Sequence, residues 1–207
     1  NSGIQMAGWF NKEINSVADL KGLKMRIPGL GGEVLARAGG TPVMLPGGEV
    51  FTALQTGAID ATEWVGPYND LAFGLHKAAK YYYYPGWHEP GSLIELMINK
   101  PAFERLPADL QAIVRVAAQA VNDKMLAEMT ARSMQALNDM QQNHGVQLRP
   151  LPDDVLQHLK GISAEVLKDI AASDPMAQKV FNSMSTYTDQ IRAYHAVTEQ
   201  AYMNARD

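Results

Sequence analysis

Five residues of types that bind small anions or hard cations are spread over the first half of the sequence: Gln5, Arg26, Glu63, Trp64 and Glu89. Arginine offers a planar fork of donors that clamps a carboxylate through two parallel hydrogen bonds. The two glutamates and the side-chain carbonyl of Gln5 are hard oxygen donors, which suit Na⁺, Ca²⁺ or Mg²⁺ and suit zinc poorly. The indole of Trp64 would pack against the apolar part of a small ligand. The set predicts a site where a cation lets an organic anion sit beside two carboxylates.

Two other kinds of function remain open at this point. Glu63 and Glu89 would also serve as the acid/base pair of a hydrolase such as a glycosidase. A histidine would supply a general base, but the five histidines are scattered and only His88 adjoins the predicted site. The sequence contains neither HExxH nor GxSxG. A helix-rich interaction domain is the third alternative. The plainer interpretation of the residues themselves is that Arg26 forms an ordinary salt bridge with a neighbouring acid and Glu63 lies on a solvated loop.

The elements around these residues predict an α/β sheet that gathers them at one edge. Residues 23–27 alternate as a strand that stops at Pro28, with Arg26 at its end. Residues 57–65 form a second predicted strand, which presents Glu63 and Trp64 before the Gly66-Pro67 break. Short helices and a strand between them give a β-α-β-α-β order over residues 23–65. In such sheets ligands bind outside the carboxyl ends of the strands. Further strands are expected at residues 3–10, 80–85 and 92–99.

The second half of the sequence predicts mainly helices. Residues 108–143 contain neither Gly nor Pro, so a helix of about 54 Å is expected, either as a spine across two lobes or as a plain bundle helix. A returning strand over 146–151, an amphipathic helix to about 173 and a last helical region follow. We therefore divide the chain into a ligand-binding lobe, residues 1–100, and the spine, strand and C-terminal helices, residues 101–207. An apolar stripe on the last helix suggests a homodimer: Ile191, Tyr194, Val197, Ala201 and Tyr202.

Composition excludes several classes of protein. With 46% hydrophobic and 19% charged residues, the 207-residue chain is globular and not disordered. Its 18 basic and 22 acidic residues give a net charge of −4, which argues against nucleic acid as a partner. It has no cysteine, so disulfides and thiolate metal sites are excluded. The first residue is not Met, and no segment leads into the strand predicted from residue 3, so we expect an N-terminal part to be missing.

Three segments resemble one family of transport receptors. VADLKGLKMR at residues 17–26 resembles the "dLkGlKmR" signature of the DctP-type substrate-binding proteins of TRAP transporters, and ALQTGAIDA at 53–61 resembles their "aLqtGviDg" element. TEWVGPYND at 62–70 and YYYPGWHE at 82–89 are similar to the branch that binds 2-oxo or 2-hydroxy monocarboxylates with a metal ion. The resemblance extends over nearly the whole chain, including the long helix.

The resemblance implies a periplasmic, periplasmic-binding-protein-like α/β receptor of two lobes, which is not an enzyme and delivers a small organic acid to TRAP membrane subunits. Arg26 stands at the family's carboxylate-clamping arginine. Gln5, Glu63, the Trp64 carbonyl and Glu89 match that branch's ligands for Na⁺ or Ca²⁺, and Gln5, Trp64 and Glu89 would also line the substrate. Many relatives carry Asn near the position of Glu89, and the carboxylate here favours the metal branch. Family members are considerably longer, so most of the first lobe would be absent.

Overall fold

Six short strands and eight α-helices account for most of residues 1–206, the part of the chain that the computed structural model describes. The strands are β1 (Gly8–Phe10), β2 (Lys24–Arg26), β3 (Thr41–Val43), β4 (Ala61–Thr62), β5 (Tyr81–Tyr84) and β6 (Gln147–Pro150). The helices are α1 (Gly29–Arg37), α2 (Gly47–Thr56), α3 (Pro67–Phe73), α4 (Lys100–Glu104), α5 (Ala108–Asn143), α6 (Asp153–Ser173), α7 (Pro175–Val197) and α8 (Glu199–Arg206), with 3₁₀ turns at Val17–Leu20 and Leu75–Lys77. This mixture confirms the predicted α/β class.

The strands form one mixed sheet in the order β3-β2-β4-β1-β5-β6. β2 runs parallel to β3 and β4, β1 runs antiparallel to β4 and β5, and β6 runs parallel to β5. These directions bring the carboxyl ends of β2, β4 and β5 to the same edge as the amino end of β1. The predicted β-α-β-α-β order is confirmed, and the edge that gathers Arg26 and Glu63 is also the edge next to Gln5.

A glycine permits the close approach of β1 to β4. Gly8 has a φ of +127°, in the region that favours glycine, and a Cβ at this position would lie 2.2 Å from the carbonyl oxygen of Thr62. Without that side chain, Trp9 pairs with Thr62 in the antiparallel register. The segment that carries Glu63 is thereby held against the segment that carries Gln5.

The core beneath this edge is aromatic and aliphatic. Trp9 stacks on Tyr82 with ring centroids 4.1 Å apart, and both side chains are fully buried. α2 buries Val50 and Leu54 one turn apart and ends at Gly57 in the left-handed conformation, as its sequence predicts. The hydroxyl groups of the tyrosine strand find partners: Tyr82 donates to Asp70 (2.7 Å), and the Tyr83 oxygen accepts from the Ile14 N–H (2.9 Å).

The long helix is confirmed at the predicted bounds, but the strand expected at residues 92–99 is absent from residues 1–206. Only Ser92 pairs with the body there, through its carbonyl to the Ser2 N–H (3.0 Å). A strand needs a neighbour for its N–H and C=O groups. Beyond Ser92 the apolar side chains of this segment, including Leu93 and Met97, are exposed. The ladders of β1 and β4 are also shorter than the strands predicted at residues 3–10 and 57–65.

The chain divides into two compact units, Asn1–Lys160 and residues 161–206. In the second unit Asp174 caps α7 by accepting from the N–H groups of Met176 (2.7 Å) and Ala177 (3.0 Å). The last helical region is not continuous, because the chain leaves the helical conformation at Thr198 and α8 begins at Glu199. The predicted apolar stripe is therefore split between two helices. The predicted division into lobes at residue 100 stays a prediction.

Candidate functional site

An ion pair between Arg26 and Glu63 lies at the centre of the predicted site. Arg26 is the last residue of β2, Glu63 follows β4 directly, and the Glu63 N–H donates to the Arg26 carbonyl (3.2 Å), which extends the parallel pairing. The Arg26 Nη1 group donates to Glu63 Oε1. The Glu63 side chain is only 4% exposed, so its charge needs a partner at this depth. The strand order brings these two side chains together as the sequence predicted.

Trp64 forms the apolar wall beside this ion pair. The Arg26 guanidinium lies 5.5 Å from the centre of its ring, within range of a cation–π interaction. The other partner of the indole is Phe73, stacked at 4.7 Å with an angle of 10° between the planes. At the first residue of α2, Gly47 faces the ring edge, and a Cβ there would lie 2.9 Å from Cη2 of the indole. The indole is therefore held on three sides.

Gln5 and Glu89 are joined through Ser92, a residue that the sequence analysis did not select. Because Glu89 accepts only, the Ser92 hydroxyl donates to its Oε1 (2.8 Å), and the same hydroxyl oxygen accepts from Gln5 Nε2 (2.6 Å). The Gln5 N–H also donates to the carbonyl of Pro90 (3.1 Å). Because the single hydroxyl hydrogen of Ser92 is used for Glu89, Gln5 must direct its amide nitrogen to Ser92, which leaves its Oε1 without a bond to that residue.

The oxygen left over is the strongest sign of a bound cation. Gln5 is buried, and its Oε1 has no hydrogen-bond partner among residues 1–206. A buried amide oxygen without a partner is costly unless a ligand takes its lone pairs. The Met6 N–H donates to the Val65 carbonyl (3.4 Å), so Gln5 lies beside the segment of Glu63 and Trp64. The donor set of two carboxylates, an amide oxygen and a main-chain carbonyl fits Na⁺ or Ca²⁺.

Within residues 1–206, no three side chains of His, Asp or Glu come together as a metal cluster, so a cation at this edge would also need the amide oxygen of Gln5 and a main-chain carbonyl. The five selected residues thus fall into two groups, Arg26–Glu63–Trp64 and Gln5–Glu89, which the structure brings to the same edge of the sheet. Their roles toward a ligand or a cation stay predictions.

Two further buried polar residues were not assigned by the sequence analysis. The His88 side chain is 3% exposed, its Nε2 lies 3.6 Å from Glu63 Oε2, and neither ring nitrogen has a hydrogen-bond partner among residues 1–206. Asp70 is buried on α3, and this burial raises its pKa to about 6. The sequence did contain a signal for Asp70, since an acid in the first turn after Gly66-Pro67 is placed to reach back to the free N–H groups of the helix start.

The comparisons with known proteins agree with this geometry. The family model of the bacterial extracellular solute-binding proteins, family 7 (DctP), matches residues 1–174. The chain belongs to this family. A monocarboxylate 2-oxoacid-binding periplasmic protein of Nostoc is 45% identical over 204 residues, which cover 99% of this chain and 56% of that protein.

Two crystal structures of TRAP periplasmic solute-binding proteins are also similar. The protein of Colwellia psychrerythraea, with bound calcium and pyruvate, superposes with a TM-score of 0.93 at 46% identity, over 99% of this chain and 62% of its own. The protein of Pseudoalteromonas atlantica, with bound sodium and pyruvate, gives 0.91 at 44% identity, over 98% and 62%. The chain therefore spans less than two thirds of the length of these relatives.

These relatives confirm several of the expectations. The fold is that of TRAP solute-binding proteins, and the family consists of binding proteins, not enzymes. The hydrolase alternative built on Glu63 and Glu89 finds no support among them. The family is extracellular by its description, and among residues 1–206 no helix is both long and apolar enough to cross a membrane.

A pair of adjacent glycines tests whether the position of Trp64 matters for binding. Gly47→Ala should displace the indole, because the new methyl group would meet the ring at 2.9 Å, and should change the tryptophan fluorescence and weaken ligand binding severalfold. Gly48→Ala is the matched control, since a Cβ at the next position of the same helix meets nothing within 4 Å. The measurement is calorimetric titration of pyruvate into both variants of the full-length protein. Equal pyruvate affinities in the two variants would show that the position of Trp64 does not affect binding.

Proposed function

We propose that this protein is the periplasmic receptor of a TRAP transporter, which binds a small 2-oxo or 2-hydroxy monocarboxylate together with Na⁺ or Ca²⁺ and delivers the acid to the membrane subunits. The observation that carries the proposal is the buried, unpaired Oε1 of Gln5, held beside the Glu63–Trp64 segment. The relatives that were crystallised with pyruvate contained calcium or sodium. The net charge of −4 argues against nucleic acid as a partner.

Arg26 is assigned to the carboxylate of the ligand. Its Nη1 donates to Glu63 and its Nε donates to the Leu45 carbonyl (3.5 Å), and we assign the remaining N–H donors of Nη1 and Nη2 to the two oxygens of the organic acid. The guanidinium carbon lies 5.5 Å from the centre of the Trp64 ring, so the indole also helps to hold Arg26 in place for the ligand. Trp64, with Gln5 and Glu89, would line the remainder of the ligand.

Gln5, Glu63, the Trp64 carbonyl and Glu89 are assigned to the cation. When bound, it would supply positive charge between two carboxylates and an anionic ligand. Without that charge, each pair of like charges at about 4 Å costs about 4 kcal/mol at an effective dielectric constant near 20. Arg26 is already engaged with Glu63, so one guanidinium would have to neutralise two carboxylates and the ligand. Ser92 keeps the Gln5 oxygen free and the Glu89 carboxylate close to it.

The arginine fork can be tested by a change that keeps its charge. Arg26→Lys should weaken pyruvate binding by about tenfold to a hundredfold, because a point charge cannot replace two parallel hydrogen bonds, one of which contributes about 1.5–3 kcal/mol. Arg149→Lys is the control, since Arg149 is also a strand arginine in an ion pair, but its partner is Glu13 (2.8 Å), which is not one of the predicted site residues. Calorimetry on the full-length protein is the measurement. Unchanged affinity in Arg26→Lys would exclude the fork.

Cation dependence tests the second half of the assignment. Glu63→Gln and Glu89→Gln should each lower the affinities for Ca²⁺ or Na⁺ and for pyruvate together, because the two ligands share the same site and their coupling is reciprocal. The control is Glu95→Gln, which removes the same charge from an exposed position. The measurement is a titration of pyruvate into exhaustively dialysed full-length protein with and without each cation. Identical pyruvate affinity under all conditions, with no metal retained, would contradict the cation site.

The homodimer proposed from the C-terminal helix gains support from α7. Apolar residues recur along it at spacings of three and four, the repeat of a helix–helix seam, and all are exposed except the half-buried Ile191: Val180, Met184, Tyr187, Ile191 and Tyr194. We expect the double change Tyr187→Ser and Tyr194→Ser to convert a dimer into a monomer in light scattering. Asn182→Ser, on the opposite side of α7, should leave the mass unchanged. A monomeric unmodified protein would overturn the dimer.

A further inference from the structure

Asp70 carries a buried carboxylate that no part of the proposed binding scheme uses. Its Oδ2 accepts from Trp9 Nε1 (2.8 Å) and the Tyr82 hydroxyl (2.7 Å), both in the core of the sheet. Its Oδ1 accepts from the main-chain N–H groups of Val65 (3.2 Å) and Gly66 (3.0 Å). One oxygen therefore contacts the core and the other contacts the turn that follows Glu63 and Trp64.

The bond to Val65 determines which way the Trp64 carbonyl faces. The amide of Val65 and the carbonyl of Trp64 belong to the same peptide group, and this peptide is trans, since the only cis peptide among residues 1–206 is Tyr84-Pro85. In a trans peptide the N–H and C=O bonds point in opposite directions. With its N–H held by Asp70, the peptide turns the Trp64 oxygen to the side away from that carboxylate.

The charge of Asp70 acts on the same oxygen. A hydrogen bond from an amide to an anion is stronger than one to a neutral acceptor, and it polarises the peptide so that negative charge accumulates on the carbonyl oxygen. In a buried site this effect is poorly screened. Asp70 therefore orients the Trp64 oxygen and increases its negative charge, which would make this oxygen a better ligand for a cation.

We propose that Asp70 is a positioning residue of the cation site, which holds the Trp64–Val65 peptide through Val65 and Gly66 so that the Trp64 carbonyl faces the cation. The inference rests on the proposed function, because it assigns a role within that same site. It differs from a merely structural role, in which Asp70 serves only to satisfy Trp9 and Tyr82. The two roles use different oxygens of the carboxylate, and variants can therefore separate them.

Asp70→Asn and Tyr82→Phe form the decisive pair. The side-chain amide that Asp70→Asn introduces has one acceptor end, so it can serve the two main-chain donors or the two aromatic donors but not both. Tyr82→Phe removes one hydrogen bond from the same buried cluster and leaves the bonds to Val65 and Gly66 in place. Both variants should lose stability. Only Asp70→Asn should also lose Ca²⁺ affinity, by about tenfold or more, as is typical when a partner of a metal ligand is removed.

The experiment is calorimetric titration of Ca²⁺ and, separately, of Na⁺, each without pyruvate, into the dialysed full-length protein and the two variants at about pH 8, where Asp70 is ionised. A tenfold loss in Asp70→Asn with Tyr82→Phe within about twofold of the unmodified protein supports the proposal. Equal affinities in all three proteins, or equal losses in both variants, overturn it and leave the proposed function standing. No Ca²⁺ or Na⁺ binding by the unmodified protein would overturn the proposed function, and this inference with it.

A spectroscopic measurement on the unmodified protein covers the case in which Asp70→Asn does not fold. Labelling with carbonyl-¹³C tryptophan and ¹⁵N valine selects the peptide between Trp64 and Val65, which is the only Trp-Val pair of this sequence. Because polarisation of a peptide is reciprocal, adding Ca²⁺ should shift the Trp64 carbonyl and move the Val65 amide proton downfield together. A carbonyl shift with an unmoved amide proton overturns the role of Asp70 but not the cation site. If neither nucleus shifts, Trp64 is not a ligand of the cation, and both the role of Asp70 and the cation site as assigned are overturned.

Discussion

Burial of the Glu63 charge is the constraint on which the rest of the site depends. A carboxylate this deep at a sheet edge is tolerated only with an ionic partner and hydrogen bonds. Arg26 provides them, because β2 and β4 are parallel neighbours whose ends coincide. The same edge receives Gln5 from the segment just before β1, and Gly8 allows β1 to pack against the backbone of Thr62. Neutralising one buried charge therefore requires Arg26 at this edge, and the packing of β1 against β4 brings Gln5 to the same place.

The parts of the structure that the sequence predicted well are those that depend on local chemistry. The β-α-β-α-β order follows from alternating apolar residues and Gly-Pro breaks, and α5 follows from a run without Gly or Pro. Strand ends in such an order meet at one edge, so the meeting of Arg26 with Glu63 could be anticipated. The link from Gln5 to Glu89 through Ser92 could not, since it depends on how the loop after β5 folds back on residues 1–5.

Other features depended on partners that sequence periodicity does not identify. Residues 92–99 have the alternation of a strand, but a strand forms only where a neighbour offers a ladder, and residues 1–206 offer one only to Ser92. The interruption at Thr198 lies within an amphipathic pattern that reads as one helix. Asp70 and His88 are polar residues whose burial is set by tertiary packing, and only Asp70 had a local signal, in the Gly-Pro helix start.

The ion pair between Arg26 and Glu63 offers a reason for such a site to bind two ligands together, because each ligand would compete for one member of the pair. While Glu63 is bound to Arg26, the guanidinium is partly neutralised and attracts an organic anion less strongly. A carboxylate shared with a cation would leave more of the Arg26 charge to the acid, and an acid bound to Arg26 would leave more of the Glu63 charge to the cation. By linkage the two effects are equal. Burial enlarges this coupling, because the same charges at the surface would be screened by water and salt. On the proposed function, the buried Glu63 carboxylate would therefore strengthen the binding of the organic anion through the shared cation, although by its charge alone it would oppose that anion.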